Sequence, residues 1–201
     1  AFISAIITNI TWLPMCHGGS CRRRVGRHPA RTSDSMTVPA ILLTVFLSIL
    51  GMEIFAWWAH KYVMHGWGWG WHRDHHEPHD NRLEKNDLYA VTFGTIVFAM
   101  FAIGYVWSDM LWWIAFGITC YGLIYTFVHD GLVHQRYFRW VPKKGYAKRL
   151  VQAHKLHHAT VGKEGGVSFG FVFAQDPAKL KAELRRQREA GEAVVRESAG
   201  A

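Results

Sequence analysis

The chain has 201 residues, 50% of them apolar, with ten Trp, twelve Phe and a formal net charge of +8. That length suits one domain of ordinary size and is short for two. Its three scattered cysteines exclude a disulfide framework. The basic surplus lies beside apolar runs, where anionic lipid accounts for it without nucleic acid.

Residues 1–35 come first and read poorly. Five Arg stand there against one acid, Asp34, and the basic run Arg22 to Arg27 follows a short apolar stretch, Phe2 to Met15. This is the reverse of signal-peptide order. Cys16, His17, Cys21 and His28 match no common zinc spacing. Met36 opens a clean start, M-T-V-P-A, so the functional protein is expected to begin there, with residues 1–35 a dispensable or disordered extension. Without its five Arg and one Asp the net charge falls from +8 to +4.

Three apolar runs follow. Val38 to Ala59 has 22 residues and one charge, Glu53; Leu88 to Trp107 has 20 and no charge; Leu111 to Val128 has none. A hydrocarbon core of ~30 Å takes about 20 helical residues, so each run is a spanning candidate. Buried helices of a soluble protein would be shorter and carry a polar stripe. The second and third runs are separated only by Ser108, Asp109 and Met110, a tight helical hairpin. Lys61, Arg73, Arg82, Lys85 and the basic C-terminal third fall on one side, opposite the Asp109 turn, and the positive-inside tendency makes that basic side cytoplasmic. The basic segment before Met36 runs against this arrangement.

Ten histidines fall in a doubled pattern, H-x4-H then H-x2-H-H. His60 and His65 precede His72, His75 and His76; His129 and His134 precede His154, His157 and His158. Neutral imidazole is the commonest protein metal ligand. Each triplet stands at i, i+3 and i+4, on one narrow helical face. The pairs differ, because i and i+5 lie about 140° apart on an ideal helix. Such a pair shares an ion only if its helix distorts or ends, and Gly66 and Gly131 make that feasible. Ten ligands exceed one ion, so two are the economical inference. All-nitrogen ligation suits Fe, Zn or Cu over Mg or Ca.

Metal-bound imidazoles normally donate their second N–H to a carboxylate or carbonyl. Asp74, Glu77, Asp80, Asp87 and Asp130 lie among the clusters as partners or as solvated loop acids. Glu53 stands seven residues before His60, on the same face and deeper in the bilayer, where an acid must be paired or line a polar cavity. His79 falls outside the repeat and reads as a loop residue. Asp176-Pro177 opens a helix to about Gly191, its thin Leu180/Leu184 stripe suiting a solvated or interfacial surface helix.

HKYVMHGWGWGWHRDHHEPH (60–79), NDLYAV (86–91), VHDGLVHQR (128–136), GYAKRLVQAHKLHHA (145–159) and GKEGGVSFGF (162–171) together resemble the membrane-bound fatty acid hydroxylase superfamily, the histidine-rich di-iron oxygenases. More narrowly they resemble its bacterial β-carotene 3-hydroxylases, over about Met36 to Leu184. The histidine framework is shared with desaturases; the intervening words are specific to the carotenoid enzymes. The resemblance implies an all-α integral membrane bundle of three or four transmembrane helices with a cytoplasmic histidine-rich metal-binding cap. It implies a hydroxylase domain over 36–175 and a C-terminal surface helix and tail over 176–201.

The activity so implied is O2-dependent hydroxylation at carbon 3 of β-ionone rings, taking β-carotene through β-cryptoxanthin to zeaxanthin. The ten histidines would hold two iron ions (zinc in purified protein is compatible), with electrons from ferredoxin and its reductase, at the bacterial inner membrane. Tyr125, one turn before His129, is placed to line the cavity. Trp57, Trp58, Trp67, Trp69 and Trp71 form either an interfacial belt or part of the mouth through which a carotenoid ring enters, with Trp67, Trp69 and Trp71 nearest the substrate. Rival readings are another histidine-box oxygenase (ketolase, sterol or fatty acyl hydroxylase, desaturase) and a metal transporter or sensor. Transporters place polar residues near mid-bilayer; here the clusters sit at span ends.

Overall fold

The computed structural model describes residues 36–77, 81, 83–160 and 162–200, with side chains through Glu192. His17, His28, the two N-terminal cysteines, the Arg22 to Arg27 run, His79, Asp80 and Arg82 lie outside the described residues. The described chain is all-helical, in the order α1 (Val38–Trp58), a π-helical segment π1 (Ala59–Trp67), α2 (Trp69–His76), α3 (Asp87–Trp107), α4 (Asp109–Tyr125), π2 (Thr126–Val133), α5 (Gly145–His157) and α6 (Pro177–Gly200). Among the described residues there is no strand.

Three stretches are long and apolar enough to cross a membrane: Val38–Trp67, Asp87–Trp107 and Asp109–Val133. They hide little of their own surface. Leu42, Phe46, Ile54, Phe98, Val106 and Leu123 are all more than half exposed. At ~25 cal/mol per Å² such a display would be prohibitive in water, whereas lipid is the solvent these side chains match. This is the physical case for a membrane protein.

Packing is carried by small residues. A Cβ on Gly117 of α4 would meet the Ser48 side chain of α1 at 2.6 Å, so the two helices approach through glycine. A Cβ on Gly104 would meet the Trp112 backbone at 2.6 Å, which closes the α3–α4 hairpin tightly. Ser108 alone separates those helices: its extended backbone (φ −154°, ψ 111°) breaks the helix, and its hydroxyl accepts the Leu111 amide at 3.3 Å. Remote from this turn, the π segments that continue α1 and α4 meet α2 and α5 respectively, and Tyr89 of α3 packs on Trp71 of α2, so the histidine-bearing segments gather at one end of the bundle.

The C-terminal helix departs from expectation in two ways. It starts as expected, Asp176 accepting the Ala178 amide at 2.9 Å, but runs past Gly191 to Gly200. A lone Gly between good helix formers costs only about 1 kcal/mol, too little to stop it. Its stripe is also more than a surface feature: Leu180 and Leu184 are buried with Ala153 and Val167, so α6 braces the α5 helix that carries His154 and His157 and is capped by His158.

Candidate metal centre

Both H-x4-H pairs lie on π turns. Closing a turn with i→i+5 bonds puts residues five apart on one face, which a regular α-helix does not. In π1 the Gly68 amide donates to the Val63 carbonyl at 2.8 Å, and Gly66 leaves helical angles altogether (φ −108°, ψ −124°). In π2 the bond runs between the histidines themselves, from the His134 amide to the His129 carbonyl at 2.9 Å. A distorted helix, the condition for each pair to share an ion, is therefore met twice.

The ten imidazoles then sort into two groups. His60, His65, His72, His76 and His157 offer ligand atoms within 4.8 Å of one another, as do His75, His129, His134 and His154. His158 joins the second group, its Nε2 2.9 Å from that of His154. The sorting crosses the repeat. Each group takes one H-x4-H pair, the i and i+4 members of the triplet that follows it, and the middle member of the other triplet. Neither half of the sequence could build a centre alone.

Hydrogen bonding fixes which ring nitrogen faces inward. Nδ1 of His60 lies 3.0 Å from the Phe169 carbonyl, that of His65 2.9 Å from Lys163 O, that of His76 3.1 Å from Thr160 O, and that of His157 2.9 Å from Val167 O. The Asn86 side chain takes His72 at 2.7 Å, Glu84 takes His75 at 2.6 Å and Asp130 takes His129 at 2.7 Å. Carbonyls and carboxylates only accept, so these Nδ1 atoms carry the protons and each Nε2 is left with a lone pair. Yet Nε2 atoms face one another at 3.1 Å (His60–His72), 3.2 Å (His65–His157) and 3.2 Å (His75–His129). Lone pairs so placed repel unless cations sit among them. The donor set fits divalent transition metals, and its nitrogen ligands exclude Ca and Mg chemistry.

Burial keeps the imidazoles in the ligating form. It drives His72, His154, His157 and His158 well below the ordinary imidazole range, His76 to about 4 and His134 to about 3, with neighbouring imidazoles adding to the shift. Two non-glycine residues with left-handed backbones border the site: Gln135 (φ 54°) follows His134, and Ser168 (φ 60°) precedes Phe169. Such strain collects where surrounding structure over-determines the backbone.

The remaining residues singled out from sequence take varied places. Asp130 bonds His129, as described. Glu53 is 5% exposed and bonds no histidine: its Oε1 accepts the amides of Phe171, Val172 and Phe173 at 3.1, 2.9 and 3.0 Å, and its Oε2 the Tyr121 hydroxyl at 2.7 Å. It ties the loop bearing Val167 and Phe169 to the first span. Asp74 turns to the Lys85 amide at 2.6 Å, and Glu77 pairs with Arg73 on the surface. Tyr125 stacks on His129 (centroids 4.7 Å apart, 18° between planes) and meets Phe171 edge-on. Trp69 lies over His65 and His76, Trp71 abuts Tyr89, and Trp67 is 85% exposed. An open cavity of about 1010 Å³ reaches His75, His76, His134 and His158, with Glu84 and Arg136 in its wall. Glu84, Asn86 and the four backbone carbonyls were not singled out from sequence. The words NDLYAV and GKEGGVSFGF contain or adjoin most of them, but carbonyl groups leave no mark in a side-chain pattern.

Residues 45–175 match the fatty acid hydroxylase family model. The chain belongs to the fatty acid hydroxylase family. A β-carotene hydroxylase of Paracoccus sp. is 54% identical over 145 residues, covering 71% of this chain and 90% of the relative. One from Pantoea ananas is 52% identical over 159 residues, covering 79% and 91% respectively. A chloroplastic β-carotene 3-hydroxylase of Haematococcus lacustris is 43% identical over 141 residues, 66% of this chain and 43% of its own length. No solved structure matches significantly. The enzyme is thus a membrane hydroxylase whose histidine clusters could hold metal.

Proposed function

We propose that this hydroxylase acts on carotenoids, adding a hydroxyl group at carbon 3 of each β-ionone ring and so converting β-carotene through β-cryptoxanthin to zeaxanthin. What carries the reading is the identity of more than half of the aligned positions with bacterial β-carotene hydroxylases across nine-tenths of their length. The ten histidines would hold two iron ions, which when bound supply the activation of O2. Reduced ferredoxin, regenerated by its reductase, is the proposed source of electrons. The site would face the cytoplasm from the bacterial inner membrane, in keeping with Lys61, Arg73, Lys85 and the basic α5 and α6 on its side.

The residues of this chain supply binding and order. A C40 hydrocarbon partitions into the bilayer, so its ring must arrive from the lipid side, along exposed apolar spans that end at the histidines. Nδ1 anchors keep every Nε2 they control aimed inward and prevent the rings from turning as substrate enters. Tyr125 and Phe171 pack on His129 and on each other as an aromatic wall that excludes water there. The decisive test is carotenoid analysis of a β-carotene-producing bacterial host expressing the chain. Zeaxanthin and β-cryptoxanthin are the expected products; ketocarotenoids, or unchanged β-carotene at good expression, would refute the reading.

A further inference from the structure

The two histidine groups are oriented by chemically different partners. In the first, the acceptors on Nδ1 are neutral: the Phe169, Lys163, Thr160 and Val167 carbonyls and the Asn86 amide oxygen. In the second, the acceptors described are carboxylates, Glu84 on His75 at 2.6 Å and Asp130 on His129 at 2.7 Å. Both distances are in the range of charge-assisted bonds.

The charges behind these acids do not cancel the difference. Asp87 accepts the Glu84 amide at 3.0 Å and binds Arg136 through both oxygens at 2.8 and 2.9 Å, while Arg136 stands 4.0 Å from Asp130. Among the described contacts, these three carboxylates meet one guanidinium, which leaves an excess of negative charge beside the second group. Glu53, the buried carboxylate nearest the first group's loop, is instead engaged by Tyr121 and the 171–173 amides.

We propose that the two metal centres are electrostatically unequal, and that Glu84 and Asp130 make the His75–His129 centre the one that binds its ion more tightly. A carboxylate pulls on the Nδ1 proton and makes Nε2 a stronger donor; a carbonyl does so far less. The surplus negative charge also offsets the positive charge of the ion in a site where water screens poorly. Ligand count works the other way, since five imidazoles converge in the first group and four in the second with His158 at its edge. Charge outweighs it because each added neutral ligand leaves the ion's charge unbalanced.

This inference rests on the two-ion reading, and the experiment separates the two. Metal-free protein in detergent micelles is titrated with Co(II), followed by its visible bands, and then stripped by a competing chelator. Two ions should bind, and the chelator should remove them in two resolved steps. Glu84→Gln and Asp130→Asn each keep an acceptor oxygen and remove only the charge. Each should weaken the tighter ion by about 10–100-fold and leave the looser one unchanged. Asn86→Asp, which puts a carboxylate on His72, should tighten the looser ion. Fewer than two bound Co(II) would overturn the two-ion reading itself. Two ions of equal affinity in the unaltered protein, or Glu84→Gln acting on the looser ion, would overturn the inequality. Should the Gln and Asn variants fail to fold, Asn86→Asp decides: an unchanged looser affinity refutes the proposal.

Discussion

The amide of His134 donates to the carbonyl of His129, 2.9 Å away, so one backbone bond links two residues whose side chains face a common centre. Room for this turn comes from Gly131, where a Cβ would approach the Phe138 ring to 2.5 Å. Gly131→Ala should therefore force Phe138 aside at about 1–3 kcal/mol and lower both metal content and product. Adding Phe138→Ala should recover part of the loss. Equal metal content in the Gly131→Ala protein would show that the turn tolerates a side chain.

Replacing any one of the ten histidines by Ala should cut the zeaxanthin to β-carotene ratio to a small fraction at matched protein level, because water replaces a lost imidazole poorly. His17, His28 and His79, outside the repeat, should tolerate the same change. A chain that survives His65→Ala but not His79→Ala would need a different ligand set.

Glu53 acts on the site through a loop. Glu53→Ala leaves three amides and the Tyr121 hydroxyl without their acceptor, at about 1–3 kcal/mol for each buried group. The loop carrying the Val167 and Phe169 carbonyls should loosen and His60 should lose its orientation. Glu53→Gln retains one acceptor oxygen and should fall between Ala and the unaltered enzyme in thermal midpoint and product ratio. An Ala variant with an unaltered melting curve would break this link.

Acid should unfold the metal-free protein early. Unfolded imidazoles take up protons near pH 6.5, whereas burial lowers His76 to about 4 and His134 to about 3 in the fold. Below about 6.5 the unfolded chain binds more protons, so stability is full above that pH and declines as pH falls toward 4 and 3. Bound metal is released over the same direction of change, since protons compete for Nε2. Melting curves in detergent between pH 7.5 and pH 4.5, the range set by these values, test the sign; a constant midpoint would contradict it.

The spans and the ligand types were open to reading along the chain, since runs of about 20 apolar residues have one good solvent and ten histidines in a doubled spacing have few uses besides metal. Asp130 could be suspected too, because it adjoins His129. How the histidines divide could not be read. An i, i+5 pair belongs together only on a π turn, and whether a helix takes that turn depends on what packs against it, as Phe138 does on Gly131. The crossing of His75 and His157 between groups depends on how α2 and α5 meet. The acceptors that aim His60, His65, His76 and His157 are backbone carbonyls, which every residue possesses, so only the folded positions of Thr160, Lys163, Val167 and Phe169 select them. Glu53 could be suspected from its cost in a bilayer, but its partners are amides 118 to 120 residues away. Composition and spacing decide which solvent and which chemistry this chain can use; long-range packing decides which histidine serves which centre, because the groups that orient them carry no sequence signature.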